Sequence, residues 1–386
     1  MPWRLGISAF ILLCLVGAPG AHAQAPGQNA TTNSVSIVEK ARVLAVKSSE
    51  IKNIPGTDTS ATYQTLSALI LSGVDTGKVV DVENDYLAMK PGDVFFLTHT
   101  TNLQEGLNVY TVLEPDRLPA LGDLFGIFVL SVILIGGWTG LRGLLALGVS
   151  ILLVFYALLP GITAGYDPVL VSFGVAALIV VFGSYLTHGL NRTTSAAVLG
   201  LVATVGITAL IAHFAISATQ LSGAADENTV DLNFATHGHL DLLGLLLGAM
   251  LIGALGILYD AAISQAVAVD ELLRVAPHLH ARQLFARAMR IGREHIGALV
   301  NTLAIAYVGV ALPLLLLFQS YSGESFLETI NHELFATEIV RTLVGSLGIL
   351  FAVPISTIAA IILLTQVPRK NGSDSQSGSA PGHTHG

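Results

Sequence analysis

The segment Gly244-Leu-Leu-Leu-Gly-Ala-Met-Leu-Ile-Gly-Ala-Leu-Gly-Ile-Leu-Tyr-Asp260 decides how the rest of the chain is read. It opens as an apolar, glycine-rich helix and, with no proline or other break signal, runs on into Ala261 to Leu273, which adds Asp270 and Glu271. Arg274, Arg282, Arg287, Arg290 and Arg293 follow before an apolar run resumes near His295. An apolar stretch of this length reads as a membrane-spanning helix. An acid at mid-bilayer costs about 3 kcal/mol on insertion scales, so Asp260 enters as a functional candidate. The arginine-rich segment beyond it marks the cytoplasmic side and places Asp260 towards the inner end of the helix, where the cost is smaller.

Composition extends that reading to the whole chain. Soluble domains carry roughly 25% charged residues, whereas here 11% are charged and 52% apolar, with a mean hydropathy of +0.70. Most of the chain is therefore expected in a lipid bilayer. A net charge of −8 provides no basic surface suited to nucleic acid. After Leu118, seven runs are long enough to cross about 30 Å of hydrocarbon. They are Leu121–Gly137, Leu141–Leu159, Val169–Leu186, Ala196–Ile216, Leu240–Ile263, Ile296–Phe318 and Ile339–Thr365. Arg142, Arg192, the arginines from 274 to 293 and Arg369-Lys370 fall on one side of these runs. Asp226, Glu227, Asp231, Glu324, Glu328 and Glu333 fall on the other, with Arg341 the exception. This asymmetry predicts a seven-helix domain over 119–368 with its C-terminus inside.

The N-terminal third has a different character. Residues 1–23 read as a signal peptide: Arg4, an apolar Leu5–Val16, then the small-x-small pattern Ala21-His22-Ala23. The sole cysteine, Cys14, lies within it, so the mature chain would have no disulfide, thiolate metal site or cysteine nucleophile. Residues 24–34 form a polar linker. Over 35–118, short β-type runs (Ala41–Val46, Thr62–Leu71, Lys78–Val82, Val94–Thr98, Leu107–Leu113) alternate with turn signals such as Asp75-Thr76-Gly77 and Lys90-Pro91-Gly92-Asp93. A small exported all-β domain follows, an OB- or SH3-like barrel or a sandwich. No catalytic cluster is recognisable in it, and an interaction or gating module is the expected role. The tail, 369–386, is rich in Gly, Ser and His and reads as disordered.

Within the helical part, Gly253, Gly256, Asp260, Ser264, Val267 and Glu271 follow at spacings that put them on one helical face. Two readings of this stripe stand side by side. It is a packing seam with Asp260 at the inner interface, or a pathway in which Asp260, Ser264 and Glu271, with Asn301 of the sixth run, couple to a cation or proton. Gly253 and Gly256, and Gly345 and Gly348 of the last run, are the candidates for close helix approach. Pro313 and Pro354 are candidates for helix breaks. His237, His239 and Asp241, with His213 nearby, offer imidazole and carboxylate but no third ligand at motif spacing, so no metal and no cofactor is assigned. The aspartyl-protease reading of Tyr259-Asp260 fails because the last two runs contain no aspartate and Gly-x-Gly-Asp occurs nowhere. Phosphate-binding loops, G-x-S-x-G and H-E-x-x-H are absent too, and no enzymatic activity is expected.

Gly256 to Leu272 resembles the signature stretch of the YibE/F-like membrane protein family. Ala286 to Tyr307 and Ala311 to Phe318 continue the resemblance, and Gly73 to Asn84 and Lys90-Pro91-Gly92-Asp93 extend it upstream. The chain carries Tyr259-Asp260 where members of that family often have two adjacent acids. The resemblance implies a multi-pass protein of the bacterial plasma membrane with permease-like character. Two functions are therefore expected in outline: a secondary transporter of a small solute or ion, or a non-transporting envelope sensor, scaffold or assembly factor whose β-domain binds a protein partner.

Overall fold

A computed structural model of the chain describes residues 34–53, 59–85, 87–102, 107–320 and 325–366. The expected signal peptide, nearly all of the linker and the C-terminal tail lie outside these residues. The chain divides into two compact units, one reaching Ser131 and the other beginning at Val132.

The first unit contains a closed five-stranded barrel in the order β1-β2-β3-β5-β4, so of the two expected forms the barrel holds and the sandwich does not. Its strands are β1 (Ser34–Asn53), β2 (Ser60–Ile70), β3 (Val79–Asn84), β4 (Val94–Asn102) and β5 (Leu107–Pro115). Closure depends on β1. Its first half pairs with β4 and its second half with β2, and register shifts at Val43/Ala45 and Val46/Ser48 bend it between them. Alternate residues point inward: Ala41 and Val43, Leu66, Ala68 and Ile70, Val82, and Phe95 and Leu97 fill the core. Gln64 ties the β3–β4 connection across the barrel. Its Oε1 accepts from Met89 N (2.7 Å) and Asn84 Nδ2 (3.0 Å), and its Nε2 donates to Met89 O (3.2 Å).

The remaining elements are helical: α1 (Leu118–Leu153), a π-helical turn (Val154–Leu158), α2 (Leu159–Thr163), α3 (Pro168–His188), α4 (Arg192–Ala218) and α5 (Glu227–Ala235). They continue as α6 (Leu242–Val275), α7 (Ala281–Val310), α8 (Leu312–Ser320), α9 (Phe326–Asn331) and α10 (Glu333–Thr365). Polar caps begin the long helices as helix chemistry dictates. Asp167 accepts from Val169 N and Leu170 N, Asn191 from Thr194 N, and Asp241 from Gly244 N. Among the described residues five helices are long and apolar enough to cross a membrane, or six if the pair Ala281–Val310 and Leu312–Gln319, bent by 66°, is one span.

Seven runs were expected, and the difference has a local cause. The first two lie on one helical stretch, Leu118–Thr163. That stretch is interrupted at Gly137, whose φ of 55° and ψ of −137° are open only to glycine. The chain bends so sharply there that a Cβ on Gly140 would collide with the Val132 carbonyl. The sixth run is broken next to Pro313, whereas Pro354 sits inside the unbroken α10. The core of the second unit is built by α4, α6 and α10, each packed against the other two, with α7 laid on α10.

Candidate functional site

The predicted stripe exists, but on the opposite side from the packing seam. Gly253, Gly256, Asp260, Ser264, Val267 and Glu271 are all exposed, on the one face of α6 that the helical core leaves uncovered. The buried face carries Leu251, Ala254, Leu258, Ala262, Ala266 and Val269. Asn301, the fourth coupling candidate, is also exposed, on α7. Of the four glycines expected to mediate close approach, three face another side chain. A Cβ on Gly345 would lie 2.7 Å from Leu303 Cδ2, one on Gly348 2.8 Å from Thr208 Oγ1, and one on Gly253 2.9 Å from Tyr307 OH. Gly256 has open space around it.

Along this face of α6 two cavities lie end to end in the groove beside α3. The first, about 560 Å³, is almost wholly apolar and includes Ile252, Gly256 and Tyr259 on α6 and Gly183 and Thr187 on α3. The second, about 390 Å³, begins one turn further on. It is the more polar of the two, with Val267, Asp270, Glu271 and Arg274 from α6, His188 from the end of α3, and Thr193 from the start of α4. Asp260 falls between the two linings in sequence and Ser264 within the span of the second; both are exposed on α6, and neither is among the lining residues. Counted from Leu242 at about 1.5 Å per residue, Asp260 is about 27 Å along the helix, close to where a 30 Å hydrocarbon layer would end.

The charges of the second cavity are arranged along one helix. Arg274 donates to Asp270 Oδ2 at 2.9 Å and reaches Glu271 Oε1 at 3.3 Å, four and three residues back. Asp270 is buried and Glu271 exposed. Among the described residues Asp260 has no ion-pair partner, so pairing with the arginine segment reaches Asp270 and Glu271 and stops short of Asp260. Behind the groove, the Gln265 side chain on the buried side of α6 lies 2.9 Å from the Thr357 hydroxyl of α10.

Asp241 of the His237-Gly238-His239 segment is occupied as the cap of α6. The group of potential metal ligands among the described residues is elsewhere, at one end of the barrel, where Glu39, Asp75 and His99 bring their ligand atoms within 4.8 Å of one another. β1 aligns Glu39 with Leu97, and β4 carries His99 two residues on, so the two side chains are diagonal neighbours on the inner face. Asp75 arrives from the β2–β3 turn. Its backbone N–H donates to Glu39 Oε1 (3.1 Å), Lys78 reaches its Oδ1 (2.5 Å), and Tyr110 OH donates to its Oδ2 (3.0 Å). The hydrogen bond from Lys78, and then that from Tyr110, holds the Asp75 carboxyl below its ordinary value. Burial and the Asp75 bond push the Tyr110 hydroxyl up to about 12, so it remains a donor. The alternation Glu39-x-Ala41-x-Val43 and Phe95-x-Leu97-x-His99 was the sequence signal for two of these residues, because it puts a carboxylate and an imidazole on core-facing positions.

No curated protein and no solved structure shows a significant match to the chain. A family model does, over residues 124–366, which include every helix that lines the two cavities and leave out the barrel. The chain is a member of the YibE/F-like protein family.

Proposed function

We propose that the protein is a multi-pass membrane permease of the secondary-transporter type, moving a small solute or ion along the α3–α6 groove. The observation that carries this reading is the end-to-end pair of cavities, one apolar and one with charged side chains, with the exposed Asp260 at the step from one lining to the next along α6. Ionisable groups on membrane helices that face a cavity serve as substrate or proton sites in many transporters. Counting Gly137 as the turn between two spans gives seven crossings. The charge asymmetry of the loops supports an orientation with the arginines, and with them the second cavity, on the cytoplasmic side of a bacterial plasma membrane and the barrel exported.

In this reading Asp260 and Ser264 are the coupling groups, Glu271 and Arg274 form the inner mouth, and no covalent chemistry is involved. The test compares the element and metabolite content of deletion cells complemented with wild-type protein or with Asp260→Asn. The deletion is expected to change the level of at least one solute, wild type to restore it, and Asp260→Asn to fail at equal membrane abundance. Unchanged pools in the deletion would end the proposal. The acid cluster at the barrel end favours a second reading, a ligand-binding envelope protein without flux.

A further inference from the structure

We propose that the barrel end formed by Glu39, Asp75 and His99 is a binding site for a divalent first-row transition cation of the zinc and manganese class. Four observations point there together. The Glu39 side chain is 1% exposed and its Oε2 has no hydrogen-bond partner, so an acceptor is aimed into the protein with nothing to receive. His99 Nε2 lies 3.0 Å from Asn108 Oδ1, and in the tautomer that donates from Nε2 to that oxygen the Nδ1 lone pair faces Asp75 Oδ2, 3.4 Å away. A carboxylate oxygen and an imine nitrogen facing each other at that distance repel unless a proton or a metal cation lies between them. The ligand atoms lie within 4.8 Å of one another. Two ligands each about 2.0–2.2 Å from a metal are at most about 4.4 Å apart, so the cluster closes on an ion with small movements.

The backbone passes directly over the site at Gly73, where an added Cβ would collide with the Glu39 carboxyl and φ is +102°. The position therefore tolerates only glycine. The surroundings match what metal ligands require of their neighbours. Asn108 orients the imidazole through its other nitrogen, Tyr110 OH bonds the Asp75 oxygen that would ligate, and Lys78 occupies the other Asp75 oxygen. With His99 neutral, Glu39, Asp75 and Lys78 leave one net negative charge. Two oxygens and one nitrogen, with no sulfur, suit zinc, manganese or ferrous iron better than copper(I), and the single imidazole sets the site apart from all-oxygen magnesium and calcium sites. Three protein ligands leave at least one position for water or a ligand of the cation.

This assignment is independent of whether the chain transports anything, and its test reads binding alone. Purified full-length protein in detergent, stripped with chelator, is titrated with zinc chloride and in parallel with manganese chloride, and retained metal is counted after desalting. One saturable equivalent per chain is expected. Glu39→Gln and His99→Gln should each weaken it by more than roughly 100-fold, and Asn108→Ala by roughly 10-fold. The double variant His383→Ala/His385→Ala, which removes the two tail histidines, should leave that equivalent unchanged. In chelator Glu39→Gln should melt no lower than wild type, because it removes a buried charge whose Oε2 has no partner and keeps an oxygen for the Asp75 N–H. X-ray absorption at the zinc edge of the wild-type protein needs no variant and should show one imidazole among oxygen ligands. Absence of a saturable equivalent with either metal, survival of binding in both ligand variants, or a two-imidazole spectrum would overturn the proposal.

Discussion

The barrel encloses two carboxylates, Glu39 and Asp75, whereas the helical unit encloses mainly hydroxyls: Ser172, Thr204, Thr208, Ser356 and Thr357 are all at most 1% exposed. Backbone geometry accounts for much of the difference. In a helix the carbonyl four residues back lies within reach of a threonine hydroxyl, and Thr204, Thr208 and Thr357 donate to Gly200 O, Thr204 O and Val353 O at 2.7–2.9 Å. Those side chains are satisfied without help from another element. In a barrel the carbonyls are committed to the ladder, so a buried polar side chain has to find a partner across the structure. Gln64 finds the Met89 backbone, and Asp75 finds Tyr110 and Lys78. The helical unit's one buried acid among the described residues, Asp270, keeps Arg274 one turn away. Of the acids buried as whole residues among those described, Asp270 is thus paired along its helix, and Glu39 and Asp75 are gathered into one cluster.

That contrast also says where each unit is fragile. The helical unit depends on close approach of helices. A Cβ on Gly200 would lie 2.6 Å from Ser356 Cα, a backbone atom that cannot rotate away. Gly200→Val should therefore force α4 and α10 apart and cost about 3 kcal/mol or more, the upper end for overpacking, read as a fall in the thermal midpoint of the detergent-solubilised protein. Gly256→Ala, on the open face of α6, is the matched control. With nothing within 4 Å it should hold or raise the midpoint, since alanine gains up to about 1 kcal/mol over glycine in a helix. Equal losses from both would show that the α6 stripe is covered by another molecule.

For the barrel the corresponding weak point is a side chain that serves several partners. Gln64→Leu keeps the volume but strips Met89 N and O of their side-chain partner and removes one of the acceptors of the Asn84 amide. A cost of about 2–3 kcal/mol is expected, as for buried groups left unpaired, with faster hydrogen exchange at the Met89 amide as the local readout. Thr204→Val in the helical unit should cost less, under about 1 kcal/mol, because the Gly200 carbonyl retains its helical bond. A Thr204→Val loss as large as that of Gln64→Leu would break the comparison.

The same physics decided what could be read from the chain alone. Alternation in Thr62–Leu71 and Val94–Thr98 marked strands because one face of each is buried in a core and the other is not. The stripe from Gly253 to Glu271 was correctly placed on one face of α6, yet spacing alone did not tell that this face is turned away from the core. In a membrane helix both faces are apolar, so hydrophobicity does not mark the inside, and on α6 small residues occur on both faces, Ala254, Ala262 and Ala266 buried and Gly253, Gly256 and Ser264 exposed. The family resemblance was legible in the helices, where the family model matches. The third member of the barrel cluster was not, because Asp75 joins Glu39 through a turn 36 residues further along the chain, and long-range closure leaves no local period.

The smallest expected effect concerns a local helix start rather than either buried network. Ser325 and Glu328 form a reciprocal capping box at α9, Glu328 Oε2 accepting from Ser325 N at 2.8 Å and Ser325 Oγ from Glu328 N at 3.3 Å. The backbone and side-chain bonds of Ser325 hold the Glu328 carboxyl below its ordinary value. A carboxyl lowered in the folded state contributes its stabilisation above the unfolded value, and that contribution is lost as the pH falls through the folded one. Hydrogen exchange at the Ser325 amide should accordingly be slow at neutral pH and speed up, beyond the intrinsic acid dependence, only on the acid side of the ordinary glutamate range. Glu328→Gln, which keeps an acceptor but no charge, should flatten that transition while leaving the melting of both units where it was. A shift of the global midpoint in this variant would mean that α9 is coupled to the helical core more tightly than its short, mostly exposed segment implies.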